Sequence, residues 1–261
     1  MSLIDIHRQA GVATLALRHG KVNAINDELI RELRACLDDL LVDTESHALV
    51  LTGQGKFFSF GLDLREVLPL AEEACLRFLT DFTALYTRMY NYPKPIVAAV
   101  NGHAVAGGCM LALACDRRIM ASGNARIGLN EITFGSSVFA GSAEMLQACV
   151  GERHAETILT SGDLYTPEQA LALGLVDRVV APDALSGACA EEARAYGSRH
   201  ADAFASLKRL LRGPVVERMR RREADALREF VKIWYSEATR AQLAKIEIRD
   251  EDHTSETKSI G

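Results

Sequence analysis

Hydrophobic residues alternate with polar ones at the start of the chain, over residues 3–7 and again over 12–17, with Gly11 between the two runs. That period of two predicts paired strands joined by a tight turn. The period then changes. Asn26 stands as a helix N-cap with Asp27 and Glu28 in the first turn, and Leu29, Leu33, Cys36 and Leu40 recur at helical spacing beside Ile30, Leu37 and Leu41. Continuous apolar runs over 48–51 and 96–100, closed by Thr52-Gly53 and Asn101-Gly102, predict strands buried on both faces. Between them residues 71–90 read as a helix that ends before Pro93 and Pro95.

Downstream, a run of small residues from Gly107 through Ala114 predicts a tightly packed helix, and 117–121 and 126–129 return as short strands. Helices dominate from Val138 onward, interrupted by one strand at 175–180. The stretch 214–248 reads as a helical pair that opens with proline at a helix start and carries Val215, Met219, Leu227, Phe230, Val231, Trp234, Leu243 and Ile246. A polar tail at 250–258 is expected to fray. Alternating strands and helices argue for the α/β class.

Composition narrows the function classes. With 48% hydrophobic and 25% charged residues in 261, the chain can bury a sizeable core as one main globular unit. A net charge of −5 gives no general attraction to a polyanion, and the basic cluster Arg218, Arg220, Arg221 and Arg222 is followed at once by Glu223 and Asp225, the mark of a solvated helix face. Nucleic acid is therefore not an expected partner. Six cysteines without a Cys-x-x-Cys pair suit free thiols in a reducing compartment, and residues 1–5 lack a secretory pattern. The most apolar stretch, 95–114, is broken by Asn101, His103 and several small residues, which excludes a membrane span there. The expected location is cytoplasmic.

Several chemical motifs nearly match and fail. The third glycine of a dinucleotide loop after Gly53-Gln54-Gly55 is Phe58, and Gly108-Cys109 stands where a phosphate loop needs Lys-Ser/Thr. No Gly-x-Ser-x-Gly elbow is present, and the seven histidines show no metal-binding spacing, so no metal is expected. Two strand-to-loop junctions remain. In Phe57-Phe58-Ser59-Phe60-Gly61-Leu62-Asp63-Leu64 a buried strand end breaks at Gly61, Asp63 can cap the next turn, and amides around Phe60 are expected to be unpaired. In Ala106-Gly107-Gly108-Cys109 paired glycines let backbone approach a ligand and open a helix whose amides point outward. Two such amides converging on one point would make an oxyanion hole, and Glu131 follows them in Gly128-Leu129-Asn130-Glu131.

In this order the motifs resemble the crotonase superfamily, the enoyl-CoA hydratase and isomerase group. The resemblance rests on Lys21-Val22-Asn23-Ala24-Ile25-Asn26, Phe58-Ser59-Phe60-Gly61-Leu62-Asp63, Pro93-Lys94-Pro95, Ala106-Gly107-Gly108-Cys109, Cys115-Asp116 and Gly128-Leu129-Asn130-Glu131, with Tyr165-Thr166-Pro167-Glu168 and Gly174-Leu175-Val176-Asp177 later. It implies a spiral core of strand-strand-helix turns over residues 1–200 that binds acyl-CoA, and a C-terminal helical region over 201–261 used in trimerisation. The partners it implies are an acyl-CoA thioester and other copies of the chain, as a homotrimer or a dimer of trimers; coenzyme A is part of the substrate and no separate cofactor is expected.

The resemblance further implies that the amides of Phe60 and Gly107 hold the thioester oxygen. It places the substrate along Lys21, Val22 and Ala24, along the Gly61, Leu62, Asp63 and Leu64 turn, and against Met110. Leu68, Phe78 and Phe82 fall where the family lines the acyl tail, although core packing accounts for them equally. Hydratases of the family use two glutamates, at the positions of Met110 and Glu131. A thioether cannot exchange a proton. The expected activity is thus the isomerase branch: Glu131 moves one proton and turns a 3-enoyl-CoA into the trans-2-enoyl isomer, with Met110, Ile132 and Phe134 keeping the carboxyl dry. The alternatives are an enoyl-CoA hydratase of fatty-acid β-oxidation, a lyase, and a non-catalytic acyl-CoA-binding scaffold.

Overall fold

The computed structural model describes residues 2–245. Ile246, and the 250–258 tail named above, lie outside the described residues. Strands β1 (Ile4–Gln9) and β2 (Val12–Leu17) form the antiparallel pair that the opening alternation predicts, with Ile4 opposite Leu17. Asn26 caps α1 (Asp27–Val42) as expected, its side-chain oxygen accepting from the Leu29 amide at 2.9 Å.

The chain then repeats one unit. Strand β3 (Ala48–Gly53) leads into short β4 (Phe57–Ser59) and helices α2 (Leu64–Val67) and α3 (Glu72–Tyr90). Strand β5 (Ile96–Val100), buried at every residue, leads into β6 (His103–Val105) and α4 (Gly107–Ala114). Strand β7 (Arg117–Ala121) leads into β8 (Ile127–Gly128) and a single 3-10 turn, Glu131–Phe134. The first strands of each unit stack in one six-stranded sheet in the order β1-β2-β3-β5-β7-β9, parallel after the first pair, and the second strands make a separate parallel sheet, β4-β6-β8. That arrangement is a spiral of strand-strand-helix turns. Its consequence for function is positional: every turn delivers the end of a short second strand to the same side of the molecule.

Helices α5 (Ala140–Val150), α6 (Glu152–Ser161) and α7 (Pro167–Ala172) follow, then β9 (Arg178–Val180), α8 (Leu185–Gly197), α9 (Ala201–Trp234) and α10 (Glu237–Leu243). The strand expected over 175–180 is shorter than the pattern suggests. The amides of Leu175 and Val176 both turn back to the Ala170 carbonyl and close α7, so ladder pairing begins only when the Asp177 amide reaches Arg118.

Pro214 does not start a helix. It lies inside α9, which runs from Ala201 to Trp234 without a break. A proline in a helix interior costs ~3 kcal/mol, so something outside the helix must hold both halves in line. Before the proline, buried Lys208 donates to Asp116 at 2.8 Å and Arg212 reaches the other oxygen of the same carboxylate at 3.2 Å. Asp116 also accepts from the Ile96 amide at 2.7 Å, which ties α9 to the sheet. After the proline, Val215, Val216, Met219, Phe230 and Trp234 enter the main hydrophobic core. The basic cluster lies on an exposed face of α9 as expected, and two of its members also pair across it: Arg218 and Arg222 hold the buried carboxylate of Glu144 at 2.7 and 2.6 Å. Of the described helices, none is long and apolar enough to cross a membrane.

Candidate active site

Glu131 opens the 3-10 turn directly after β8, and Gly135 closes that turn in the left-handed region at φ +75°. The turn folds the side chain inward, so that only 6% of the residue is exposed. Its Oε2 has no hydrogen-bond partner. Burial in low dielectric disfavours the charged form and pushes the carboxyl up to about 8, while its own backbone N–H pulls weakly the other way. A carboxyl poised there can both take and return a proton near neutral pH.

The segment that approaches it from β4 departs from expectation. The Phe60 amide is not free: it donates to the Val22 carbonyl at 3.0 Å. The Gly61 carbonyl then accepts from Ile25 and the Asp63 amide donates to the Ile25 carbonyl, both at 2.8 Å. In such a parallel bridge the flanking groups face the partner and the central residue faces away. The amide left for a ligand is therefore that of Leu62, and it replaces Phe60 in the proposed pair. Gly61 makes this possible, because its φ of +93° turns the chain between two peptides that would otherwise alternate.

The second amide belongs to Gly107, the first residue of α4, which has no acceptor within its own helix. The two segments are in contact: a Cβ placed on Gly61 would lie 3.2 Å from the Gly107 nitrogen. Gly108 is required for a different reason, since a Cβ there would come within 2.1 Å of the Ser59 carbonyl. Behind them, Ala106 holds φ +50°, ψ −119°, a conformation that glycine favours.

These groups border one cavity of about 440 Å³. Phe60, Leu62, Leu64, Gly107, Met110 and Glu131 all line it, so the structure brings together six of the residues singled out in the sequence. Glu131 is the one carboxylate among the described residues that line it. Lys21, Val22, Ala24, Gly61 and Asp63 do not line it. They form the adjoining rim, where Asn23 sews the 21–24 loop to β4 through its side chain (to Gln54 and Phe57, 3.0 and 2.8 Å) and Ser59 donates to the Asn23 carbonyl at 2.7 Å. Asp63 caps α2, accepting from the Arg65 amide.

Ile132, expected to help keep Glu131 dry, is turned outward and exposed; Met110 and Phe134 do face the cavity. Phe78 and Phe82 are core residues, and with Leu68 they stand outside the lining. The aromatic wall comes instead from Phe139, Phe230 and Trp234, with ring centroids 4.8 Å apart for the first two and 5.6 Å for the last two. The sequence points to the segment 135–141, which holds Phe139, as a reshaped pocket wall; it does not single out Phe230, Trp234 or Asn130 as cavity residues, and only the apolar helical spacing around Phe230 and Trp234 indicates burial. One trio of potential metal ligands occurs among the described residues, His19, Asp63 and Glu66, whose ligand atoms lie within 4.8 Å of one another on the rim.

A strand-strand-helix spiral with two amides and one dry carboxyl facing a common cavity has the architecture of the crotonase class. The comparisons with known proteins agree. The family model described as enoyl-CoA hydratase/isomerase matches residues 7–253, and the chain belongs to that family. It is 43% identical over 176 residues to a putative enoyl-CoA hydratase of Thermus thermophilus, covering 66% of this chain and 67% of that protein. It is 36% identical over 183 residues to mouse mitochondrial enoyl-CoA delta isomerase 1, covering 69% and 63%. Its structure overlays on the crystal structure of human mitochondrial delta3-delta2-enoyl-CoA isomerase with a TM-score of 0.89 at 28% identity, over 93% of this chain and 96% of that one.

Proposed function

We propose that the protein shifts the double bond of a 3-enoyl-CoA to the trans-2 position. The observation that carries this reading is that Glu131 is the single carboxylate among the described residues lining the cavity, with Met110 in the same wall where the family resemblance implies a hydratase's second acid. Ionised Glu131 takes a proton from C2, between the thioester carbonyl and the C3–C4 double bond. Charge moves onto the thioester oxygen as a dienolate, which the amides of Leu62 and Gly107 stabilise. The protonated carboxyl then returns the proton at C4, the electrons close the C2–C3 double bond, and the enzyme is restored. Each amide contributes on the order of 3 kcal/mol to lowering the barrier, and a positioned base roughly 10²–10⁴ in rate.

Hydration of a 2-enoyl-CoA is the second reading, supported by the hydratase relative at 43% identity. It needs a group other than Met110 to orient water, and Asn130, which lines the cavity with its Oδ1 unpartnered, is the candidate. The deciding experiment is turnover of purified protein on 3-enoyl-CoA and on 2-enoyl-CoA separately. Isomerisation that vanishes in Glu131→Gln supports the proposal; robust hydration with negligible isomerisation rejects it in favour of the hydratase; binding without turnover of either rejects both in favour of a scaffold.

We further propose self-association as a homotrimer, alone or paired. Leu207, Leu210 and Leu211 share one side of α9, and the last two are 71% and 76% exposed. A contiguous apolar stripe of that kind favours burial against another surface. Size-exclusion chromatography with light scattering measures the outcome, and a monomer at micromolar concentration counts against it.

A further inference from the structure

Glu131 sits on a single 3-10 turn, and residues 136–139 after it belong to no helix or strand. So short a turn, with its poorer hydrogen-bond geometry, does not fix a side chain unaided. Two neighbours hold it. On one side is the end of α6, where a Cβ placed on Gly162 would lie 2.7 Å from the Cγ2 methyls of Ile132 and Thr133, so the turn is packed there without a gap. On the other side is α10.

Thr239 of α10 is 2% exposed, and its hydroxyl lies 2.6 Å from the carbonyl of Gly135, the residue that closes the turn. A carbonyl only accepts, so Thr239 spends its proton there and accepts in turn from the hydroxyl of Ser236, the N-cap of α10, at 3.1 Å. Arg240, the next residue, donates to the Leu68 carbonyl at 3.0 Å and lies over the ring of Tyr235, whose hydroxyl donates to the Leu70 carbonyl. Residues 68–70 follow α2, which begins at Leu64 in the cavity wall, two residues after Leu62. Consecutive residues of one helix thus grip the segment that carries the base and the segment that carries the Leu62 amide. Buried Leu243 seats the helix in the main core, and Gln242 and, just past the helix, Lys245 join Thr133 in the cavity wall.

We propose that Thr239 is a positioning residue for Glu131, and that α10 is a brace which sets the carboxyl at a fixed separation from the Leu62 amide, with Thr239 holding one end and Arg240 the other. A base that serves a thioester must meet the carbon chain while the amides hold the oxygen, and a misplacement of about 1 Å costs on the order of 100-fold in rate. The brace supplies that alignment from outside the spiral core. This inference rests on Glu131 as the base and not on which enoyl-CoA is turned over.

Thr239→Val keeps the shape of the side chain and removes the donor, and Thr239→Ser keeps the donor. In Thr239→Val, kcat for the enoyl-CoA that wild type turns over is expected to fall about tenfold with KM within about twofold. The pH at which kcat/KM levels off is expected to drop as well, because a looser turn lets water reach a carboxyl that burial alone raises. The ionisable groups that share its surroundings, Lys245 in the cavity wall and buried Cys109, are the same in both proteins. Thr239→Ser is expected to restore both quantities, and Arg240→Met, which cuts the other end, to lower kcat with the level-off pH in place. Wild-type kcat in either Thr239→Val or Arg240→Met overturns the brace. A loss in Thr239→Val that leaves the pH profile unmoved, or that Thr239→Ser fails to restore, overturns the positioning role. If wild type turns over no enoyl-CoA, NMR titration of 13C-labelled glutamate side chains, assigned with Glu131→Gln, reads the carboxyl directly. A lower titration point in Thr239→Val then keeps the placement of Glu131 by Thr239 and rejects its role as base, whereas an unchanged one overturns the placement.

Discussion

Glu131→Gln keeps the shape of the side chain and removes its ionisation, so the pH dependence that this residue imposes on stability should disappear with it. Burial moves the carboxyl from an ordinary 4.5 to about 8. Between those values the folded chain holds a proton that the unfolded chain has released. Its contribution to stability is therefore full below about 4.5, declines as pH rises, and is gone above about 8. At ~1.4 kcal/mol for each pH unit the whole window amounts to at most ~5 kcal/mol, and water entering the cavity reduces it to on the order of 2–5 kcal/mol. Urea unfolding of wild type and Glu131→Gln at pH 5, 7 and 8.5 reads this directly. The variant should gain on wild type steadily with pH. Parallel stability curves would refute the burial argument.

The same ionisation sets the rate. Only the carboxylate form removes a proton, so wild-type kcat/KM for a 3-enoyl-CoA should rise about tenfold per pH unit up to roughly pH 8 and then level off. Near pH 7 about one free enzyme molecule in ten is ready to react. A profile that is flat from pH 6 to 8 contradicts a base with a raised value, whatever the substrate.

Three other substitutions test separate parts of the argument. Met110→Glu places a second carboxylate in the dry cavity; it should introduce measurable hydration of 2-enoyl-CoA and push Glu131 higher still, and a complete absence of hydration would mean that the cavity excludes water by shape. Gly108→Ala drives a Cβ to 2.1 Å from the Ser59 carbonyl and so separates the segments bearing the two amides, which should cut kcat/KM by roughly 100-fold or more with KM less affected. Asp116→Ala leaves Lys208 and Arg212 without their buried partner, and calorimetry should show a loss of about 3–5 kcal/mol; a change under about 1 kcal/mol would mean that α9 is held by apolar packing alone.

What the sequence discloses divides along a physical line. Features set by neighbours in the chain are legible: the Asn26 cap, the continuously apolar β5, and a turn at Gly61 followed by a capping Asp63 all follow from rules that act over a few residues. That Glu131 would line the cavity is legible for a similar reason, since the motifs come in an order that few folds share. The error at Phe60 arises where that locality ends. Which amide is free depends on the 21–24 loop crossing beside β4 and on the φ of Gly61, and neither is encoded in spacing. Pro214 is the same case at larger scale: a local breaker is overruled by Asp116, almost a hundred residues earlier, gripping α9 on one side of it while the core grips the other. Because α9 is held there, its last turn brings Phe230 and Trp234 to the cavity. The proposed base and amides thus come from segments that build themselves, and the aromatic wall of the cavity comes from where a distant helix lands. Under the proposed function, chains that share the base and the amides can still accept different acyl groups, according to the wall that α9 presents to the cavity.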